Sequence, residues 1–189
     1  MMKLIEKTTS LGPDDSPGTR SSFTMPASYF IQHLQLQPHP EGGFYKETYR
    51  SSGMISVQNL STGFTSDRRY STAIYFLLQQ GDFSAFHRIK SDECWHFYEG
   101  GTLLVHVITL KGEYHCIRLG RSVHEDEVYQ AVVPAGAWFA SEPAPNSSFA
   151  LVGCTVAPGF DFADFEMANA TALAKEFPQH RSLIERLCR

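Results

Sequence analysis

Short apolar segments, rich in aromatic and β-branched residues, fill the middle of the chain. Glycine, proline, aspartate or serine separates one segment from the next, and this rhythm is typical of an all-β sandwich or barrel. QQGD at 79–82 and LKGE at 110–113 are predicted hairpin turns. The predicted strands are GFYKETYRSS, STAIYFLLQQ, FSAFHRI, ECWHFYEG, TLLVHVITL, YHCIRLG, EVYQAVVPAGAWFA and SSFALVGCTVA.

Helical patterns lie at both ends of this strand region. The segment PASYFIQHLQL, which starts at Pro26, has apolar residues at helical spacing, and QPHPEGG then stops the helix. Near the C-terminus, MANATALAKEFPQHRSLIERLCR predicts two short helices separated by Pro178. Residues 1–24 are rich in serine, threonine, proline and glycine, which predicts a disordered lead, and residues 25–189 are expected to form a single domain.

Composition narrows the classes of function. The formal net charge is −4 and the pI is about 6.0, so the chain lacks the basic footprint of a protein that binds nucleic acid or an anionic membrane. No apolar stretch has the length of a secretory signal or a membrane span. The four cysteines are widely spaced, without a CxxC pair, and are expected to be free thiols. We therefore expect a cytoplasmic protein without nucleic-acid or membrane partners.

The stretch SAFHRIKSDECWHFYEGG spans two predicted strands and contains two histidines, two glutamates, an aspartate and a cysteine. Side chains alternate between the two faces of a strand, so His87 shares a face with Ile89, and Glu93 shares a face with Trp95 and Phe97. Neither face of ECWHFYE is polar enough to be simply solvated, so both faces are expected to be covered. A second copy of the chain would cover the outer face, which predicts a homodimer.

The same stretch resembles a known motif. His87, Glu93 and Gly100 are spaced as in the first motif of the cupin superfamily, HxHx(3–4)Ex(6)G, and PAGAWF at 134–139 is similar to the second motif, PxGxxH. PHPEGGFYKETYRS, SDECWHFYEG, VPAGAWFA and VAPGFDFADFE further resemble signatures of the cupin-5 family. The resemblance implies a double-stranded β-helix (jelly-roll) cupin barrel with short flanking helices.

The chain departs from the pattern of metal-binding cupins at two positions. By resemblance, the four metal ligands would be His87, Ile89, Glu93 and Phe139. Isoleucine and phenylalanine have no lone pair to donate, and the two remaining ligands are fewer than a catalytic zinc site commonly has. We therefore expect neither a metal nor another cofactor.

His87 and Glu93 are the candidate catalytic residues, and two interpretations of the pair stay open. In the first, they form a buried structural pair whose members satisfy each other. In the second, they act as an acid–base pair at the bottom of a ligand pocket. The resemblance adds that metal-free sugar-nucleotide epimerases of the cupin superfamily use an inward histidine as a base, to which His87 could correspond.

Aromatic and polar residues on neighbouring strands are candidates for ligand binding. Aromatic rings could stack on a planar ligand, alternating residues of GGFYKETYRS could line the barrel mouth, and an outward Arg88 could pair across a dimer or reach a phosphate. The candidate ligand-binding residues are Tyr45, Glu47, Tyr49, Tyr75, Arg88, Trp95 and Phe139.

The leading hypothesis is a small-molecule-binding cupin whose barrel pocket takes a sugar, a nucleotide or a nucleotide sugar. If this cupin is an enzyme, the hypothesis predicts a metal-independent sugar-nucleotide epimerase or isomerase that uses His87. One alternative is a non-catalytic binding or storage cupin. Another is a metal-dependent oxygenase or sugar isomerase, which Ile89 and Phe139 disfavour.

Overall fold

The computed structural model describes residues 25–189, and the predicted N-terminal lead lies outside them. The helices are α1 (Ala27–Leu34), α2 (Ala170–Glu176) and α3 (Arg181–Arg186). The strands are β1 (Gln37–Pro38), β2 (Phe44–Arg50), β3 (Met54–Ile55), β4 (Arg68–Arg69), β5 (Thr72–Gln79), β6 (Ser84–Arg88), β7 (Asp92–Gly100), β8 (Leu103–Ile108), β9 (Tyr114–Leu119), β10 (Gln130–Val133), β11 (Trp138–Pro143), β12 (Phe149–Ala157) and β13 (Glu166–Met167).

Two antiparallel sheets form the body of the protein. One has six strands in the order β1-β2-β5-β12-β7-β10, and the other has five in the order β13-β6-β11-β8-β9. Strands that follow each other in sequence frequently belong to different sheets, as β5 and β6 do. This arrangement confirms the predicted double-stranded β-helix (jelly-roll) barrel with short flanking helices.

The apolar core lies between the inner faces of the two sheets. On β7 the inward residues Glu93, Trp95 and Phe97 are 8%, 2% and 9% exposed, whereas Tyr98 on the outer face is 48% exposed. The predicted alternation of this strand is therefore confirmed. Strands from both sheets contribute to the core, including Phe76, Trp95, Val105, Phe139 and Val152.

The helices cover the outer faces of the sheets. Helix α1 packs Phe30 against Phe149, with ring centroids 5.4 Å apart. Helices α2 and α3 form a second apolar cluster with residues of β6, β8 and β11. Helix α2 begins after Asn169, whose side chain accepts a hydrogen bond from the Ala172 amide at 3.0 Å. Within residues 25–189, no helix is both long and apolar enough to cross a bilayer.

Two of the predicted local connections need correction. LKGE joins the paired strands β8 and β9 as a hairpin, but QQGD connects β5 to β6 in the other sheet, so it is a turn and not a hairpin. The segment EVYQAVVPAGAWFA is also not one strand, because the turn at Pro134–Gly136 separates β10 from β11. Gly136 has a φ of 77°, a conformation that favours glycine.

Candidate functional site

A cavity of about 330 Å³ lies between the two sheets, on the inner face of the six-stranded sheet. Strands β2, β5, β7 and β12 form its wall, and His87 and Ile89 face it from β6 and the residue that follows β6. Two loops complete the lining, one through His39 and Glu41 and the other through Phe160 and Phe162. Most of the wall is apolar.

The loop between β1 and β2 places Glu41 beside His87. Gly42 has a φ of 116°, and a Cβ atom at this position would collide with the carbonyl of Phe83. The amide of Ala85 donates to the carbonyl of Glu41 at 3.1 Å, which fixes the loop against β6. The Glu41 side chain consequently lies among residues of β6.

His87 and Glu41 form a close, buried contact. The Nδ1 atom of His87 is 2.7 Å from the carbonyl of Ala85, and since a carbonyl only accepts, Nδ1 carries a hydrogen. The Nε2 atom then faces Glu41 Oε2 at 3.3 Å. A hydrogen bond at this contact requires a proton either on Nε2 or on the carboxylate. The hydroxyl of Ser84 donates to the same Oε2 atom at 2.7 Å.

A second histidine lies on the other side of the Glu41 carboxylate. His39 Nδ1 accepts the backbone N–H of Glu41 at 3.3 Å and is 3.6 Å from Glu41 Oε1. Burial lowers the pKa of His39 below its ordinary value, an effect that the negative charge of Glu41 opposes and that His87 reinforces. His39 is therefore neutral at neutral pH.

Glu93 lines the same cavity as an uncharged carboxylic acid. Burial, reinforced by the negative charge of Glu41, raises the pKa of Glu93 to about 8, although a hydrogen bond with the Cys154 thiol opposes the rise. Burial also raises the pKa of Cys154 well above its ordinary value. At neutral pH the cavity thus contains a carboxyl group that can donate a proton, and His87 lines the same cavity.

Comparison with known proteins identifies the family. The family model Cupin_5, described as cupin superfamily (DUF985), matches residues 28–168. The chain belongs to the Cupin_5 family. The uncharacterized protein YML079W of Saccharomyces cerevisiae is 33% identical over 143 residues, which cover 71% of this chain and 71% of that protein.

Two solved structures are similar to this Cupin_5 protein over most of its length. A hypothetical protein from Leishmania major has 34% identity and a TM-score of 0.80, and the match covers 87% of this chain and 99% of that chain. Protein SO0799 from Shewanella oneidensis has 38% identity and a TM-score of 0.79, with coverage of 88% and 99%.

The predicted catalytic residues of this Cupin_5 protein both line the cavity, but they do not pair as expected. The side-chain contacts of His87 go to Glu41, to the Ala85 carbonyl and to the ring of Phe139 at 4.0 Å. Sequence reasoning missed Glu41 and His39 because it interpreted QPHPEGG as a helix stop and as part of a family signature, without a role for either side chain. The signal that could have revealed them is a histidine and a glutamate directly before two glycines.

Strand β2 contributes Tyr45 and Glu47 to the cavity, as predicted, but not Tyr49. Glu47 pairs with Ile74 and Tyr49 pairs with Ala73, so Thr48 is an extra residue in the ladder. This bulge reverses the alternation. Tyr49 consequently points outward and is 54% exposed, whereas Arg50 joins the lining and binds Glu47 with an Nη2–Oε2 distance of 2.6 Å.

Of the other predicted ligand-binding residues, Trp95 lines the cavity and three do not. Tyr75 lies on the opposite face of β5, where its ring packs edge-to-face on Tyr98 at 5.8 Å. Phe139 packs behind the ring of His87. Arg88 points away and donates to Glu166 at 2.7 Å, while its guanidinium lies 4.4 Å above the Trp138 ring.

The positions that correspond to cupin metal ligands contain two buried hydrocarbon side chains. Ile89 is 4% exposed and Phe139 is 1% exposed. Across residues 25–189, no group of three or more His, Cys, Asp or Glu side chains is arranged to hold a metal ion. Neither of these two side chains offers an atom that could coordinate a metal ion.

Proposed function

We propose that this cupin binds a sugar, or the sugar part of a larger ligand, in the cavity and that His87, together with Glu41, moves a proton on it. The observation that carries the proposal is the His87–Glu41 contact. Its Nε2–Oε2 distance is 3.3 Å, and the ring is held by the Ala85 carbonyl so that Nε2 faces the carboxylate. A buried histidine that faces a carboxyl group beside a cavity is suited to acid–base chemistry.

The size and lining of the cavity fit a small molecule. Small-molecule pockets are mostly apolar and have a few convergent polar groups. The cavity of about 330 Å³ has this composition, with aromatic side chains such as Tyr45 and Phe160 on its wall. Phe162 is 59% exposed next to Phe160, with ring centroids 5.1 Å apart, and offers an apolar face to a sugar ring.

The charges around the cavity favour an uncharged ligand group. Glu41, Glu47 and Glu93 all line it, and Arg50, the one guanidinium in the lining, is already bound to Glu47. A phosphate placed deep in the cavity would approach Glu41 and Glu47 without a free positive partner. We therefore place a sugar in the cavity and any phosphate or nucleotide part of the ligand outside it.

The acid and the base have separate environments, as epimerase or isomerase chemistry needs. His87 with Glu41 accepts a proton from carbon, and Glu93, whose pKa is raised to about 8 chiefly by burial, donates one. The sequence relatives described above share the fold but have no recorded activity in their names. The reaction class is thus argued from the side chains of this chain.

A thermal-unfolding screen against sugars, nucleotides and nucleotide sugars tests binding. A ligand at 100 times its Kd adds about 2.7 kcal/mol of stability. Val156→Trp or Ile74→Trp should fill the cavity and remove the stabilisation. Val132→Trp, at a position that is 51% exposed on β10, is the matched control and should preserve it. Stabilisation that survives both cavity-filling variants would place the ligand elsewhere.

Proton transfer is tested with any ligand from that screen in D₂O. Turnover should incorporate deuterium at a carbon of the ligand, and His87→Gln should abolish this while ligand affinity changes by less than about tenfold. His96→Gln is the control, because His96 faces outward and bonds to Thr155 and Gln130. Binding without deuterium incorporation would instead identify a non-catalytic binding cupin.

We also propose a homodimer. The outer face of the six-stranded sheet exposes Tyr98 on β7 and Val132 on β10, which are 48% and 51% exposed. A second copy of the chain could cover these side chains. Light scattering should give twice the chain mass of 21.2 kDa, and a mass of 21.2 kDa at micromolar concentration would contradict the proposal.

A further inference from the structure

Two polar groups of the cavity wall lack a hydrogen-bond partner within residues 25–189 and are nevertheless accessible. They are the Nε2 atom of His39 and the hydroxyl of Tyr45, and both residues line the cavity. Among the described residues, the polar side-chain atoms that are both buried and unbonded lie on Trp95 and Ser141 instead. His39 Nε2 and Tyr45 Oη are therefore groups that a molecule in the cavity can reach and bond.

The backbone of Glu41 determines which nitrogen of His39 carries hydrogen. Its N–H donates to His39 Nδ1 at 3.3 Å, so Nδ1 is an acceptor, and in the neutral ring the hydrogen is on Nε2. The Glu41 carboxylate oxygen Oε1 is 3.6 Å from the same Nδ1 atom, which is beyond hydrogen-bond distance, so it does not compete for this contact. His39 consequently presents at Nε2 an N–H group that can only donate.

The turn that carries His39 holds its ring in one place. The His39 amide donates to the Gly43 carbonyl and the Gly42 amide donates to the His39 carbonyl, both at 3.0 Å. The ring packs edge-on against Tyr45 and Phe76, with centroids 4.5 Å and 5.7 Å apart. A donor that is already fixed by backbone hydrogen bonds and aromatic contacts loses little conformational freedom when it binds a ligand.

Pairing of β1 with β2 brings the two accessible groups together. Gln37 of β1 lies opposite Tyr45 of β2, and His39 follows Gln37 by two residues, so all three side chains leave the same face. The imidazole N–H only donates, whereas a phenol hydroxyl both donates and accepts. One oxygen atom of a ligand, or two adjacent ones, can therefore bond to both groups.

The charge beside this pair decides which kind of oxygen it binds. The Glu41 carboxylate lies next to His39 and repels a carboxylate or phosphate oxygen brought to the same place. The nearest charged groups thus favour a hydroxyl, ring or carbonyl oxygen of an uncharged molecule.

We infer that His39 and Tyr45 hold the bound sugar, with the Nε2 hydrogen of His39 donating to one sugar oxygen and the Tyr45 hydroxyl bonding the same oxygen or the adjacent one. This inference rests on the proposed function and adds the side chains that orient its ligand. His39 lies beside Oε1 of Glu41, and His87 Nε2 lies beside Oε2. The group that holds the sugar and the group that moves a proton therefore flank one carboxylate.

Tyr45→Phe is the most direct test of the pair. It deletes an oxygen that has no hydrogen bond within residues 25–189, so the melting temperature without ligand should not change. Affinity for a sugar should fall by about tenfold, the effect of one lost hydrogen bond. The probes are D-glucose, D-xylose and D-ribose, each up to about 100 mM, a hundred times a millimolar Kd. Tyr49→Phe is the matched control on the same strand, because Tyr49 points outward, and it should change neither quantity.

Nitrogen-15 NMR of labelled histidine tests the other donor. The His39 signals are assigned with His39→Gln. In the free protein the ring should be neutral with hydrogen on Nε2, and a sugar that binds should shift the Nε2 signal more than the Nδ1 signal. His124, whose side chain is 81% exposed, is the internal control and should not respond.

Variants of His39 separate binding from a structural role. His39→Gln keeps a side-chain donor and should keep sugar affinity within about threefold, whereas His39→Leu should weaken it by about tenfold. Thermal unfolding of each variant is measured first. If His39→Leu does not fold, the Tyr45→Phe result and the His39 signals of the wild type decide the question.

Three results would overturn the inference. The first is hydrogen on Nδ1 of His39 in the free protein, and the second is that none of the three sugars binds. The third is a sugar whose affinity is the same in Tyr45→Phe and which leaves the His39 signals in place. If the stabilisation by that sugar is still lost in Val156→Trp, the proposed function survives and only the assignment of these two residues fails. If no ligand of the wider screen depends on the cavity, the proposed function fails as well.

Discussion

Two buried polar clusters of this protein contrast sharply in how completely their groups are satisfied. Arg68 and Asp164 are 2% and 6% exposed, and they are joined by two hydrogen bonds, Nε–Oδ2 at 2.6 Å and Nη2–Oδ1 at 2.7 Å. The remaining Arg68 nitrogen, Nη1, donates to Ser66 and to the Asp67 carbonyl. Every side-chain nitrogen of Arg68 therefore has an acceptor, and the pair has the bidentate geometry of a strong structural ion pair.

The cluster around His87 has the opposite character. His87 and Glu41 are 3% and 8% exposed and face each other at 3.3 Å, burial raises the pKa of Glu93 to about 8, and the Trp95 N–H has no acceptor within the described residues. The two clusters are connected, because Asp164 closes the 3-10 turn Phe162–Asp164 and so anchors one aromatic loop of the cavity. Burial alone therefore does not distinguish the two clusters, whereas the completeness of their hydrogen bonding does.

The largest expected change in stability comes from breaking the Arg68–Asp164 pair. Asp164→Ala should lower the free energy of unfolding by about 3–5 kcal/mol, because it leaves the Arg68 charge buried without its partner. Urea unfolding measures the loss. The double variant Arg68→Met/Asp164→Leu should recover a large part of it, since it removes both charges. A loss below about 1 kcal/mol for Asp164→Ala would mean that the pair is no more than a surface ion pair.

Removing the ionisable group of Glu93 should change how stability depends on pH. The pKa of Glu93 is raised from 4.5 to about 8 in the folded protein, so its contribution is fully present below pH 4.5 and is lost as pH rises towards 8. Glu93→Gln should therefore gain stability relative to wild type across this window, on the order of 3 kcal/mol at pH 8. Chemical unfolding at pH 5 and at pH 8 measures the difference.

The exposed Glu166→Gln is the control for this experiment and should show no such gain, since Glu166 pairs with Arg88 at the surface. A Glu93→Gln variant whose stability relative to wild type is the same at pH 5 and pH 8 would show that Glu93 is ionised in the fold.

A smaller effect is expected from the coupling between the two carboxyl groups. The charge of Glu41 helps to raise the pKa of Glu93 and opposes the lowering of the pKa of His39. Glu41→Gln should therefore lower the pKa of both Glu93 and His39. Carbon-13 and nitrogen-15 NMR titrations measure the two groups. An unchanged Glu93 pKa in this variant would show that the charge of Glu41 does not act on Glu93.

The smallest effect belongs to the surface pair Arg88–Glu166. Their side chains are 35% and 54% exposed, and exposed ion pairs contribute about 0–1 kcal/mol. Glu166→Gln should lower the free energy of unfolding by less than about 1 kcal/mol in urea unfolding. A larger loss would indicate that Arg88 has a structural role comparable to that of Arg68.

The strands and the inner face of β7 were predictable because period-two alternation directly places Glu93, Trp95 and Phe97 on one face. The reversal after Glu47 was not, since one extra residue at Thr48 leaves no mark in the polar pattern. The contact between His87 and Glu41 was also not predictable from the sequence. Glu41 arrives through a loop whose contact with β6 joins residues 43 positions apart, as in the Ser84–Glu41 hydrogen bond, and alternation within a strand says nothing about such contacts.

Nitrogen-15 NMR of labelled histidine tests the central claim most directly, because it reports which ring nitrogen of His87 carries hydrogen. His87→Gln assigns its signals among those of the eight histidines. We predict a hydrogen on Nδ1 of His87 and an Nε2 signal that is changed by Glu41→Gln. A neutral His87 with hydrogen on Nε2 and a bare Nδ1, unaffected by Glu41→Gln, would contradict the account.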